Sequence, residues 1–204
     1  MKKVLVVLLI LIFVYCIGGV IYSLNIKDNK KQEDTILSIN GYEYKIKNSV
    51  NDLYKNEFNK LKTNLESDNV NIDEYIKSIA KLYIIDLYSL NDKINKYDVS
   101  AAQYVIDTSR ENFKLKVSET IYKYIEDKSD GERSQDLPIV TEIFVDNVNE
   151  TTYKINELDY KGYQVLISWK YDKDLGYPMS ADLTLIEENN IISVVSEKRI
   201  EVEQ

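Results

Sequence analysis

Tyr163-Gln164-Val165-Leu166-Ile167-Ser168-Trp169-Lys170-Tyr171 is the stretch whose reading decides the fold. Tyr163, Val165, Ile167, Trp169 and Tyr171 share one side of an extended chain, and Gln164, Leu166, Ser168 and Lys170 share the other. That is the period of two of a strand with one face in a core. Ile139–Val148 before it predicts another strand, Ala181, Leu183 and Leu185 mark a third, and Ile191–Val202 a fourth. Glu187–Asn190 reads as a tight hairpin, and Asp172–Pro178 as a longer turn around Gly176. Strands in such close succession predict an antiparallel four-stranded meander.

Upstream the period is helical. Asp127–Pro138 breaks the pattern with Gly131 and Pro138, and a helix burying Phe113, Val117, Ile121 and Ile125 is expected before it, over Ser109–Glu126. A short helix capped by Asp98 or Ser100 runs to Ile106. The longest helix is expected over Ile72–Ile94, capped at Asn71 with Glu74 in the matching position. Its stripe is Ile72, Tyr75, Ile76, Ile79, Leu82, Tyr83, Leu87, Leu90 and Ile94, and Ile84 and Ile85 add apolar surface on the other side. A helix apolar on more than one face is buried on more than one face, here between a preceding helix and the sheet. That preceding helix carries Val50, Tyr54, Phe58, Leu61 and Leu65, with Ser49 and Asp52 as a capping pair. Asn40-Gly41, between short apolar pieces, reads as a small turn. A similar phrase opens extracytoplasmic foldases, but nothing downstream looks like a rotamase. Helices followed by a meander place the chain in the α+β class.

The N-terminus sets location. Lys2 and Lys3 precede Val4–Leu24, which holds no charged residue. As a helix those 21 residues would be about 31 Å long, enough to cross the hydrocarbon core of a bilayer. The lysines orient residues 1–3 to the cytoplasm and the remainder outward. Residues 25–36 are polar and charged, a stalk beneath a domain over 37–204. A cleaved signal peptide fits less well, because the apolar run is long and the best exit, Ile21-Tyr22-Ser23, has a bulky outer residue. Phe13-Val14-Tyr15 before Cys16 does not suit lipidation, and Gly18-Gly19 lacks the four-residue spacing of a helix-packing motif.

Composition removes whole classes of chemistry. The chain has no histidine, and Cys16, its only cysteine, lies in the expected span. That excludes His-dependent triads, His-bearing zinc sites, and disulfides or thiol nucleophiles in the exported part. Residues 25–204 hold all 34 acids and all but two of the 26 basic residues, about −10 in charge, which disfavours nucleic acid as a partner. The abundance of Lys, Asn, Ile and the 17 tyrosines fits an AT-rich genome of the Gram-positive kind.

Local motifs yield little. Asp127–Glu132 hints at a calcium loop, but aligning Gly131 with the invariant glycine puts Lys128 and Leu137 at ligand positions. Asn149-Glu150-Thr151 is a chance sequon, and Glu187-Glu188 reads as hairpin solvation. Ser78-Ile79-Ala80-Lys81 has Ser-x-x-Lys spacing but lies mid-helix, where it reads as the exposed edge of the helix. Carboxylate pairs for glycoside chemistry are countless among 34 acids, and none is singled out. No cofactor or metal site is expected.

The order of elements resembles the bitopic assembly component, the eighth, of VirB-type type IV secretion and conjugation systems. The residues behind the resemblance are the helix Ile72–Ile94, the strand Tyr163–Asp172 with Trp169, and the closing hairpin Ala181–Val202. It implies a cone-shaped, nuclear-transport-factor-two-like exported domain of helices on a curved four-stranded sheet. It further implies a non-enzymatic membrane scaffold whose partners are the membrane through residues 4–24, other envelope proteins, and itself. Gram-negative members carry Asn-Pro-Leu-Gly-Phe late in the domain. Here the nearest phrase is Asp174-Leu175-Gly176-Tyr177-Pro178, so no residue role is carried over. Exposed faces of Ser49–Ser67 and Ser109–Glu126 are the candidate docking surfaces. The alternative is ligand binding or catalysis in a pocket between sheet and helices, lined by Tyr75, Tyr83, Tyr104, Trp169 and Tyr171. A continuous apolar core would favour the scaffold; an open cavity with an unpaired acid would favour the pocket. A tethered sensor or chaperone is a third class, although three cytoplasmic residues leave no signalling domain. The anchor reading predicts a chain that resists carbonate extraction from membranes and is cut by protease added to intact protoplasts. Full protection from that protease would overturn the orientation.

Overall fold

The computed structural model describes residues 36–47 and 50–200. The expected tail, anchor and most of the stalk (1–35), the cap at Ser49 and the strand end at Val202 lie outside the described residues. No helix among the described residues is long and apolar enough to cross a membrane.

The fold is α+β. A small antiparallel pair, β1 (Ile36–Ser38) and β2 (Lys45–Lys47), opens it. The turn between them runs through Asn40-Gly41, and Gly41 takes φ +80°, a left-handed value that a side chain would strain. Helix α1 (Asp52–Leu65) follows, then α2 (Ile72–Tyr88) and α3 (Arg110–Glu119). Strands β3 (Val140–Ile155), β4 (Leu158–Tyr171), β5 (Ser180–Glu188) and β6 (Ile191–Arg199) form one antiparallel sheet in sequence order.

Side-chain spacing accounts for the helices. Tyr54, Phe58, Leu61 and Leu65 of α1 are buried at helical intervals. Its cap is Asn51, whose Oδ1 accepts from the Tyr54 amide at 2.9 Å, two residues beyond the expected Ser49. Asn71 caps α2 as expected, accepting from the Glu74 amide at 3.2 Å. Helix α2 packs against α1 on one side and the sheet on the other, with Ile79, Leu82, Ile84, Ile85 and Leu87 all fully buried.

Two helices stop earlier than their periodicity suggests. Helix α2 ends at Tyr88, not Ile94, and the chain turns through a 3-10 segment, Leu90–Asp92. Beyond the break Lys93 pairs with Asp86 of the helix just left. The short helix expected to run to Ile106 is a 3-10 segment, Ser100–Tyr104. Helix α3 ends at Glu119 instead of Glu126, and Tyr122 turns inward so that its hydroxyl donates to the Leu87 carbonyl at 2.8 Å.

Strand β3 is longer than expected, because Asn156 and Glu157 adopt positive φ (46° and 68°) and form a two-residue turn of the type that suits hairpins. Asn189 and Asn190 do the same between β5 and β6. Strand β5 pairs with β4 only from Gly162 onward, so residues 152–161 of the β3–β4 hairpin extend beyond β5. The outer edge of β6 is occupied by the helical layer. Tyr44 Oη donates to the Ile192 carbonyl at 3.1 Å, the Ile192 amide donates to Tyr75 Oη at 3.3 Å, and the Ile106 amide donates to the Val194 carbonyl at 3.1 Å.

Burial raises the pKa of Tyr44, Tyr54, Tyr83, Tyr104 and Tyr122, and pushes Tyr75 up to about 12. Above the ordinary tyrosine value of about 10 the unfolded chain sheds these protons while the folded chain keeps them. Each such tyrosine then removes about 1.4 kcal/mol of stability per pH unit. The urea midpoint is therefore expected to be far lower at pH 11 than at pH 9. Equal midpoints would refute the assignment.

Candidate functional site

Two cavities lie beside buried ionisable groups. The first, about 280 Å³, is lined by β2, the start of α1, the end of α2 and the segment through Gln103. Asp86 comes from α2, within the apolar run Ile84-Ile85-Asp86-Leu87, and is almost fully buried. Its carboxylate pairs with the equally buried Lys93 and accepts from Ser100 Oγ at 2.7 Å and Tyr54 Oη at 2.9 Å. Lys93 Nζ also donates to Ser100 Oγ at 3.1 Å and lies 5.9 Å from the centre of the Tyr122 ring. Tyr54 Oη meets Tyr104 Oη at 2.9 Å. A serine hydroxyl beside a lysine amine is the pairing of Ser–Lys hydrolases, in which the amine takes the hydroxyl proton. Here the carboxylate pairs with the Lys93 amine group and accepts the hydrogen bond of the Ser100 hydroxyl, so the group closes in on itself as a satisfied buried network.

The second cavity, about 570 Å³, lies between α2, α3 and β6. Its walls include Tyr83, Leu87, Phe113, Val117 and Ile121, and its charged residues are Lys116, Glu197 and Arg199. Glu197 Oε2 accepts from Tyr83 Oη at 2.6 Å, and Oε1 accepts from Tyr88 Oη and from Arg199 Nε at 3.3 Å. Arg199 Nε also donates to Tyr88 Oη at 3.0 Å. Burial and the Glu197 charge raise the pKa of both tyrosines, so they remain donors to the carboxylate at ordinary pH.

The five aromatic residues proposed as pocket lining do not converge. Tyr75 and Tyr104 pack on either side of Tyr44, with ring centres 6.4 and 5.7 Å away. Trp169 stacks on Tyr88 at 4.9 Å, and Tyr171 Oη donates to the Pro178 carbonyl at 2.8 Å. Of the five, Tyr83 is the one that lines either of these two cavities. Tyr75, Tyr83, Tyr104 and Trp169 belong to one continuous apolar core. Ser78 is buried rather than on an exposed helix edge, and Lys81 Nζ turns toward buried Glu57, 3.6 Å away, which Lys60 also holds at 2.6 Å. The Asp127 carboxylate is occupied by the Ser129 amide and hydroxyl, at 2.8 and 2.5 Å. Among the described residues no three acidic, His or Cys side chains are grouped to hold a metal ion.

Sequence reasoning missed Asp86, Lys93, Glu197 and Arg199. Asp86 left a visible signal, a carboxylate inside an otherwise apolar helical run. Glu197 left none. An irregularity in the β5–β6 pairing sets Leu185 against Val194 but Thr184 against Ser196, adding one residue and turning Glu197 and Arg199 to the inner face. The chain matches no family model, no curated protein and no solved structure.

Removing one partner of the Asp86–Lys93 pair leaves a buried charge uncompensated. Lys93→Met is expected to lower unfolding stability by about 3–5 kcal/mol, and adding Asp86→Leu to recover most of it. Urea unfolding of the single and double variants measures this. A double variant less stable than the single would show that the pair is not the main cost.

Proposed function

We propose that this chain is a non-enzymatic, single-pass membrane scaffold whose exported domain docks other envelope proteins within a secretion or conjugation-type complex. The observation that carries this reading is how two buried acids, Glu57 and Asp86, and the half-buried Glu197 are used. Glu57, Asp86 and Glu197 are each satisfied by lysine, arginine or hydroxyl donors of the same domain, so none of the three stands ready as a base or nucleophile. The interior is thus spent on rigidity. A rigid body with apolar side chains left outside suits docking. Leu115 on α3 is 65% exposed and Leu158, at the tip of the β3–β4 hairpin, is 62% exposed.

The order of elements, helices and then a four-stranded antiparallel meander, is consistent with a nuclear-transport-factor-two-like cone. The uncharged run Val4–Leu24 supplies the anchor in this reading, with residues 1–3 in the cytoplasm. The deciding experiment crosslinks the intact protein in its native cells and recovers it through a C-terminal tag. A polytopic channel protein together with a transport ATPase is the expected company. Leu115→Asp and Leu158→Asp, both at exposed positions, are expected to fold normally and to lose part of that company. Recovery of the chain alone, or only as a homo-oligomer, would defeat the secretion reading.

A further inference from the structure

The cavity between α2, α3 and β6 differs in charge from the protein around it. The chain as a whole carries −8, yet the cavity contributes two cations, Lys116 and Arg199, against one carboxylate, Glu197. That carboxylate is already engaged by Tyr83, Tyr88 and Arg199, and among the described residues Lys116 has no ion-pair partner. The rest of the wall has an apolar part, with Phe113, Val117, Ile121 and Val194, beside a polar one, with Asn112 and Thr120. Its volume, about 570 Å³, lies within the range of small-molecule sites.

A site with an apolar wall and a cationic rim selects a ligand with two matching parts. We propose that this cavity binds a single-chain amphipathic monoanion, its carboxylate head on Lys116 and Arg199 and its hydrocarbon against Phe113, Val117 and Ile121. The head is drawn by the net positive rim, where charge-assisted hydrogen bonds are stronger than neutral ones. The tail removes the exposed side of Phe113 and Ile121 from water. Glu197 is not a competing receptor for a cationic head, because both of its oxygens are held by donors of the cavity floor. The site is independent of the scaffold reading and stands or falls on its own chemistry.

The test uses the full chain reconstituted in lipid nanodiscs and a dodecanoic acid carrying an alkyl diazirine, with photolabelled residues mapped by mass spectrometry. Labelling is expected within residues 109–121 and 194–199. Lys116 is exposed, so its replacement leaves the core intact. Lys116→Glu is expected to reduce labelling of those segments at least about tenfold, and Lys116→Arg to retain it. The corresponding uncharged diazirine alcohol is expected to label them about as weakly as the acid labels the Glu variant. Labelling of the nanodisc belt protein by probe dissolved in the bilayer serves as the internal control and is expected to be equal for all variants. Equal labelling of 109–121 by acid and alcohol, or labelling there that Lys116→Glu leaves unchanged, would overturn the proposal.

Discussion

A carboxylate in the middle of a helix with no solvent to face is the constraint that organises this domain. Helix α2 is covered by α1 on one side and the sheet on the other, and Asp86 lies within that interior. An unpaired charge there would cost several kcal/mol, on the order of the stability of a whole small domain. Lys93 meets it from beyond the end of the helix at Tyr88, where the chain leaves the helical path. The segment that follows delivers Ser100 to the same carboxylate, Tyr104 to Tyr44 and Tyr54, and Val105-Ile106 to the edge of β6. One buried charge thereby ties the helical layer to the sheet.

Tyrosine does much of the work that other chains give to histidine or to disulfides. Hydroxyls of Tyr44 and Tyr75 satisfy the backbone of Ile192, those of Tyr83 and Tyr88 hold Glu197, and that of Tyr122 reaches the end of α2. Each ring fills core volume while its tip closes a polar group that would otherwise be left unsatisfied. Such a lattice is rigid and local. It gives a domain whose described residues include no cysteine a set of cross-links that no change of redox state can open.

Much of this could be read from the sequence, for reasons that differ between elements. The period of two over Tyr163–Tyr171 gave the central strand and its buried face correctly, because that strand is regular from end to end. The stripes of α1 and α2 were equally plain, and so were the turns at Asn40-Gly41 and Asn189-Asn190. What stayed hidden depends on tertiary contact or on a local irregularity. The pairing of Asp86 with Lys93 crosses the end of α2, the turn at Asn156-Glu157 lacks the usual glycine, and the inward phase of Glu197 depends on one extra residue in β6. Of the aromatics expected to line a pocket, Tyr75, Tyr83, Tyr104 and Trp169 are buried and Tyr171 is half-buried. Their separation into different neighbourhoods follows from packing that spacing alone does not encode.

The two margins of the sheet are unlike. Tyr44, Tyr75 and Ile106 occupy the backbone of β6, whereas among the described residues no strand lies beyond β3. A sheet with two available margins can be extended indefinitely, each copy offering a fresh template to the next. With the β6 margin occupied at Ile192 and Val194, a further copy has no continuous free ladder to join on that side, so strand pairing between copies through the β3 margin would end at a two-fold pair, and a larger array would need different surfaces.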